Sequence, residues 1–174
     1  SLGEHPAELL ARLVDDGLVR HIEKRDMFGL LPPGKQRQET LLDDYAGDAV
    51  RAGLAEHYDT FLRINDDFKQ LCTDWQMHDG APNDHSDADY DAACVDRLVR
   101  FAASARPVVD ALAAALPRLS RYGDRLAAAA ECVERGERNR FTGVMCESFH
   151  DVWMELHEDL IVLQRIDRVE EGSF

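Results

Sequence analysis

Two histidines seven residues apart, His150 and His157, stand in the segment M-C-E-S-F-H-D-V-W-M-E-L-H-E-D-L-I-V-L-Q-R-I, residues 145–166. Two helical turns separate them, about 10 Å along an axis rising 1.5 Å per residue, so one helix presents both imidazoles on one side. Glu147 lies one turn before His150, and Glu158 directly follows His157. Imidazole with carboxylate is a donor set for zinc, iron, nickel or copper. A divalent metal would take His150, His157 and Glu147, with His78 or His85 delivered from a loop as a further donor. A polar organic ligand would meet His150, His157 and Glu158 instead. Hydrogen bonding between helices is a third use of the same groups, and the residues by themselves leave the three open.

Asn65 belongs to this set. It falls on the apolar seam Val50, Leu54, Tyr58, Phe61, Phe68, Cys72, Trp75, between Phe61 and Phe68. A lone amide there costs free energy unless a partner meets it. Asn65, His150 and His157 are therefore expected to line one polar pocket, with Trp75 and Trp153 as its walls.

Other chemistries find less support. The histidine spacing is seven, not the four of the zinc-protease H-E-x-x-H. Only one Glu-x-x-His occurs, where di-iron bundles use two. The run N-D-H-S-D-A-D at 83–89 has the composition of a calcium loop without its Gly and distal Glu. No Gly-rich phosphate loop and no G-x-S-x-G is present, so no catalytic residue is assigned. Cys72, Cys94, Cys132 and Cys146 form no C-x-x-C pair and read as buried thiols.

The elements that must position these groups follow from spacing and punctuation. Much Ala and Leu with only 11 Gly and 6 Pro among 174 residues points to a mainly α protein. The first helix runs from Glu4 to Gly17, whose glycine can take the left-handed conformation that ends it. L-V-R-H-I-E-K and M-F-G-L-L read as a strand pair, Pro32-Pro33-Gly34 as a break, and K-Q-R-Q-E-T-L-L-D-D-Y as the next helix. From Asp48 onward every segment keeps three-four apolar spacing, so this region is expected to be entirely helical. Asp87 or Ser86 caps the helix whose stripe is Tyr90, Cys94, Leu98 and Phe101, and Pro107 kinks or ends it. A further helix from Leu119 ends at Gly136. The last carries the stripe Met145, Phe149, Trp153, Leu156, Leu160 and Leu163. The sum is a helix with a β-hairpin over 1–47, then an antiparallel bundle of about four helices over 48–174.

The formal charge of −14 opposes a broad grip on nucleic acid or anionic membrane. No apolar run is long enough to span a membrane and no signal peptide is evident, so a cytoplasmic protein is expected.

The order helix, "LVDDGLV", hairpin, "LLPPGKQRQETLL" over roughly 3–45 resembles the C-terminal half of a winged helix-turn-helix domain of the MarR or PadR kind. In that family a recognition helix ends in such a turn, a wing follows, and an "L-T-P-x-G-R" element opens the next helix. Leu31-Pro32 departs from that pattern, and nothing precedes Ser1 to supply the domain's first two helices. The expectation is a partial winged helix, completed upstream or belonging to a larger enzyme. The resemblance implies DNA contacts from Arg12, Lys24, Arg25, Lys35 and Arg37, and a homodimer. Arg12 is set against Glu4, Glu8, Asp15 and Asp16, so the chain as given is expected to bind DNA weakly. The segments "FLRINDDFKQLCTDWQ", "NDHSDADYDAACVDRL" and "SFHDVWMELHEDL" are similar to an actinobacterial group described as MarR-type regulators, with similar segments beside phosphoenolpyruvate-utilising enzymes. The resemblance implies a transcriptional regulator with a helical effector or dimerisation domain. The alternatives are an accessory domain of a phosphotransfer enzyme and a metal-binding helical protein.

Overall fold

The computed structural model describes residues 5–167 and is mainly helical. It separates into two compact units, residues 1–47 and 48–174. Among the described residues no helix is long and apolar enough to cross a membrane.

In the first unit, α1 (Pro6–Asp15) opens on Pro6, whose missing amide is surplus in a first helical turn. It closes on Gly17 in the left-handed region (φ 68°). The Leu18 amide reaches back to the Leu13 carbonyl and the Gly17 amide to that of Val14, so the last carbonyls are satisfied. Strands β1 (Val19–Ile22) and β2 (Met27–Leu30) pair antiparallel, Val19 opposite Leu30 and Ile22 opposite Met27. A 3-10 turn over Glu23–Arg25 and left-handed Asp26 (φ 47°) join them, so the first strand ends two residues earlier than its composition suggests. The Pro32-Pro33-Gly34 break also needs correction, because α2 (Pro32–Tyr45) starts on Pro32. Prolines suit the first turn of a helix, where no amide has an intrahelical partner.

Gly34 is needed for contact rather than for flexibility. A Cβ there would stand 2.0 Å from the Leu18 carbonyl oxygen, which accepts from the Leu31 amide at 2.9 Å. The core of this unit is thin. Strongly amphipathic α1 buries none of its residues, and Leu9, Met27, Phe28, Leu30, Leu41 and Tyr45 are exposed.

The second unit contains four long helices: α3 (Asp48–Gln76), α4 (Ala88–Ala115), α5 (Ser120–Glu134) and α7 (Phe149–Gln164). They pack in cyclic order, α3 on α4, α4 on α5, α5 on α7 and α7 back on α3. Short α6 (Asn139–Thr142) follows the turn after Gly136 and buries Phe141 completely. The expectation of an entirely helical region fails at one place. Met77–His78 (β3) pairs antiparallel with Ala81–Pro82 (β4) across left-handed Asp79 and Gly80. Asp-Gly is a strong two-residue hairpin signal, but apolar periodicity cannot register a two-residue strand. Pro107 does not end α4 either. Its ring sits on the exposed side of a helix held by Leu98, Phe101, Ala105 and Val109 in the core.

The final helix is the largest correction. It starts at Phe149, not Met145, because Met145 and Glu147 are left-handed (φ 58° and 57°) and the Ser148 hydroxyl accepts the Asp151 amide as an N-cap. Phe149, Val152, Trp153, Leu156, Leu160 and Leu163 are buried as the spacing requires, whereas Met145 is 80% exposed.

Helix α5 is fastened to α7 by polar groups. Buried Tyr122 donates its hydroxyl to Asp159 at 2.6 Å, Arg118 reaches the same carboxylate at 3.0 Å, and Arg125 reaches Glu155 at 2.6 Å. Burial first, then the Asp159 bond, pushes the Tyr122 phenol well above its ordinary range, so it stays a donor.

Gly34→Ala is expected to destabilise the first unit by roughly 1–3 kcal/mol through overpacking. Hydrogen exchange at the Leu31 amide reads this directly, and unchanged protection would show that the close approach is dispensable.

Candidate functional site

Helices α3 and α7 run antiparallel, with Phe68 beside His150 and Phe149, Asn65 beside Trp153, Tyr58 beside His157, and Arg51 donating to the Leu163 carbonyl. Phe61 and Phe68 lie 4.9 and 5.6 Å from the Trp153 ring, and Phe101 meets it edge-on at 5.2 Å. The seam is therefore an aromatic core into which three polar residues are set.

Asn65 is 1% exposed and Trp153 is fully buried. The Trp153 indole N–H donates to Asn65 Oδ1 at 2.9 Å. Indole can only donate, so the contact orients the amide with its oxygen toward the ring. Asn65 Nδ2 is then left buried without a partner. One turn toward the start of α7, His150 packs on Phe68 at 6.3 Å, and its Nδ1 is likewise buried and unpartnered. One turn the other way, His157 is 2% exposed, lies 5.2 Å from Phe61, and has Nε2 at 3.4 Å from the Tyr58 hydroxyl. Phe61 thus links Trp153 to His157, and Phe68 links Trp153 to His150.

The remaining sequence-derived residues fall elsewhere. Trp75 lies ten residues further along α3, about 15 Å at helical rise, stacks on Phe141 at 4.6 Å and meets the His85 ring at a tilt at 4.5 Å. It walls a different cluster. Glu158 is on the exposed side of α7. Glu147 is outside the helix and forms a two-pronged ion pair with Arg125, both contacts at 3.0 Å. The expected Glu147–His150 helical face therefore does not form, because left-handed backbone at Glu147 breaks the register between them. Among the described residues no three His, Cys, Asp or Glu side chains gather in a way that could hold a metal ion. Lys24 and Arg25 are exposed at the hairpin tip, Arg12 on α1, and Lys35 and Arg37 on α2.

A second polar cluster escaped the sequence reading. Asp91, 4% exposed, accepts from His85 Nδ1 at 2.9 Å, from Asn83 Nδ2 at 3.1 Å, and pairs with Arg138 at 3.2 Å. Asn83 Nδ2 also reaches the Trp75 carbonyl, tying the loop to the end of α3. His85 itself is held left-handed at φ 59°. Burial by itself raises the Asp91 carboxyl. The hydrogen bonds from His85 and Asn83, with the charges of His85 and Arg138, outweigh burial and bring it below its ordinary range. The signal was present in the chain, since Asp91 is three residues before Cys94 on the apolar stripe of α4. Asp87 does serve as the cap, accepting the Asp89 and Tyr90 amides.

Family models, curated proteins and solved structures offer no match to this chain. The site must be read from its own groups. On the α3–α7 seam those are an amide donor and an imidazole nitrogen, both desolvated and set against aromatic faces. At the loop, Asp91 fixes the Nδ1–H tautomer of His85 and its ring orientation.

Burial pushes the Cys72 thiol up to about 12 and raises that of Cys94. Native protein is therefore expected to expose only Cys132 and Cys146 to a thiol reagent, while reaction at all four without denaturant would contradict this packing. Asn65→Ala strands the buried Trp153 N–H and is expected to cost about 2–3 kcal/mol, read as a lowered urea midpoint. Asp91 contributes stability that is complete above the ordinary carboxylate pKa of about 3.9 and is lost as pH falls through its depressed folded value. Asp91→Asn should accordingly be less stable than wild type at pH 7 and should narrow that gap below about pH 4. Parallel urea-midpoint profiles of the two proteins across that range would refute the assignment.

Proposed function

We propose that this protein is a transcriptional regulator in which the α3–α7 seam of the second unit is an effector site. The observation that carries the reading is the pair of buried, unpartnered polar atoms, Asn65 Nδ2 and His150 Nδ1, on facing helices. A buried donor without an acceptor is worth about 1–3 kcal/mol to any group that satisfies it. Trp153 and Phe68 supply the aromatic surface that would hold the rest of such a molecule. A small polar organic compound suits this seam better than a divalent metal, because Glu147 is committed to Arg125.

The first unit supports the regulatory half of the proposal. Its order of helix, antiparallel hairpin and helix supports the resemblance to the wing-bearing half of a winged helix of the MarR or PadR kind. Lys24 and Arg25 stand at the hairpin tip, where a wing meets phosphates, and Lys35 and Arg37 stand on the helix that follows. The apolar side of α1 is only half-buried within the unit, with Leu9 exposed.

The chain is expected to bind DNA in the nonspecific range, with a Kd of roughly 1 µM at physiological salt. A Lys24→Glu/Arg25→Glu variant should lose at least about tenfold by removing phosphate contacts. No detectable binding by wild type, or an affinity unchanged in that variant, would defeat the regulatory reading. The effector half has a separate readout. Native mass spectrometry of wild type should show a retained small molecule that Asn65→Leu lacks.

A further inference from the structure

We infer that the groove between α3 and α4 binds a free α-amino acid with an apolar side chain, Arg100 holding its carboxylate and Asp67 its ammonium. The inference stands apart from the effector reading, since it uses other side chains of α3 and none of α7.

The groove has a volume of about 450 Å³, within the roughly 300–1,000 Å³ of small-molecule sites. Leu71 and Phe101 close its floor, 3% and 9% exposed. Its walls are polar, with Asp67 and Gln70 on α3 facing Arg97, Arg100 and Ser104 on α4. An apolar floor between polar walls suits a small molecule that joins charged groups to an apolar side chain.

Two of the wall charges are uncommitted. Among the described residues neither Asp67 nor Arg100 makes a hydrogen bond or an ion pair, with each other or with any other group. Each has a helical neighbour of opposite sign one turn earlier and does not take it. Asp96 stands four residues before Arg100, in the order that favours an i,i+4 pair, yet the two do not meet. Arg63 stands four residues before Asp67 and donates instead to the Thr60 hydroxyl at 3.0 Å. Arg97, by contrast, donates to Asp74 at 2.7 Å, and Asp74 also accepts the Gln70 amide at 2.7 Å. The Asp74–Arg97 pair is neutral, so Arg100 is the net cation of the groove and Asp67 its net anion.

Donors and acceptors are also sorted along the groove. Helices α3 and α4 run antiparallel, Asp74 meeting Arg97 and Phe68 meeting Phe101, so the same pairing brings Asp67 toward Ser104 and Gln70 toward Arg100. The Ser104 hydroxyl donates to the Phe101 carbonyl at 2.8 Å, which leaves its oxygen as an acceptor. One end thus offers the acceptors of Asp67 and Ser104, the other the guanidinium donors of Arg97 and Arg100.

Charge excludes the simpler ligands. An anion would meet Asp67 and the field of a chain at −14, while a cation would meet Arg97 and Arg100. A zwitterion answers both ends at once, and with no net charge it is not repelled by the protein's field.

Chemical-shift titration of the full chain with L-phenylalanine tests this. Saturable shifts are expected at Leu71 and at the Gln70 side-chain amide, with a Kd of roughly 1 mM or tighter. The single-charge analogues 3-phenylpropionate and phenethylamine should bind at least about threefold more weakly, as should L-phenylalanine to Arg100→Met and to Asp67→Asn. Both residues are exposed and unpaired, so neither variant puts folding at stake. Arg63→Gln, on α3 outside the groove, should leave the affinity unchanged. No saturable shift up to about 20 mM ligand, single-charge analogues that bind as tightly as the zwitterion, or full affinity in Arg100→Met would each overturn the inference. Shifts confined to the Trp153 indole N–H would overturn it too, while leaving the effector reading in place.

Discussion

The hydrogen bond from the Trp153 indole to Asn65 organises the second unit. Trp153 is fully buried and touches Phe61, Phe68, Phe101 and Phe149, so it joins α3, α4 and α7 in one aromatic cluster. Its N–H cannot be left bare there, because an unsatisfied donor in an apolar interior loses its hydration for nothing. Asn65 is the residue that meets it, and doing so sets the register of α7 against α3. A shift of α7 by one turn would set an aliphatic or imidazole group against Asn65 and expose the indole N–H to phenyl rings. The price of the arrangement is the Nδ2 amino group of Asn65, which the core does not satisfy. The same residue therefore specifies the packing and leaves an unsatisfied donor inside it.

Around that seam the other polar groups act at the edges, where water and ion pairs can balance them. Tyr122 and three arginines bind α5 to the acidic side of α7. Asp91 gathers His85, Asn83 and Arg138, drawing the hairpin loop, the first turn of α4 and the turn before α6 together. Both networks link elements far apart in sequence, and both keep charge beside, rather than within, the aromatic cluster. The unit thus confines its rigid polar contacts to its margins and keeps the interior for Asn65, His157 and the face of His150.

The first unit follows a different logic. Its backbone is well closed, by the left-handed Gly17, the Val19–Leu30 register and the Gly34 approach to Leu18. Its apolar side chains are nonetheless mostly exposed or half-buried. Local hydrogen bonding decides its shape, while little burial stabilises it.

Apolar spacing alone determined that this protein is mainly helical and which faces turn inward. Leu54, Phe61, Phe68, Leu98, Phe101, Trp153 and Leu160 are all buried where three-four periodicity puts them, since a helix must hide its apolar stripe whatever it packs against. Asp-Gly at 79–80 and Asp91 on the stripe of α4 were also readable, but a period of 3.6 has no term for a two-residue strand or for a carboxylate among cysteine and leucine. Tertiary structure decided the rest. The Ser148 cap offers a start at Phe149, while the three-four spacing runs back to Met145, so spacing alone does not choose. The choice comes from Arg125, Arg140 and Asp151, which hold the preceding residues left-handed. Asn65 could be recognised from sequence as an amide in need of a partner. That the partner is an indole 88 residues away, and not an imidazole or a metal-bound water, depends on how α7 lies against α3, and no spacing within either helix contains that information.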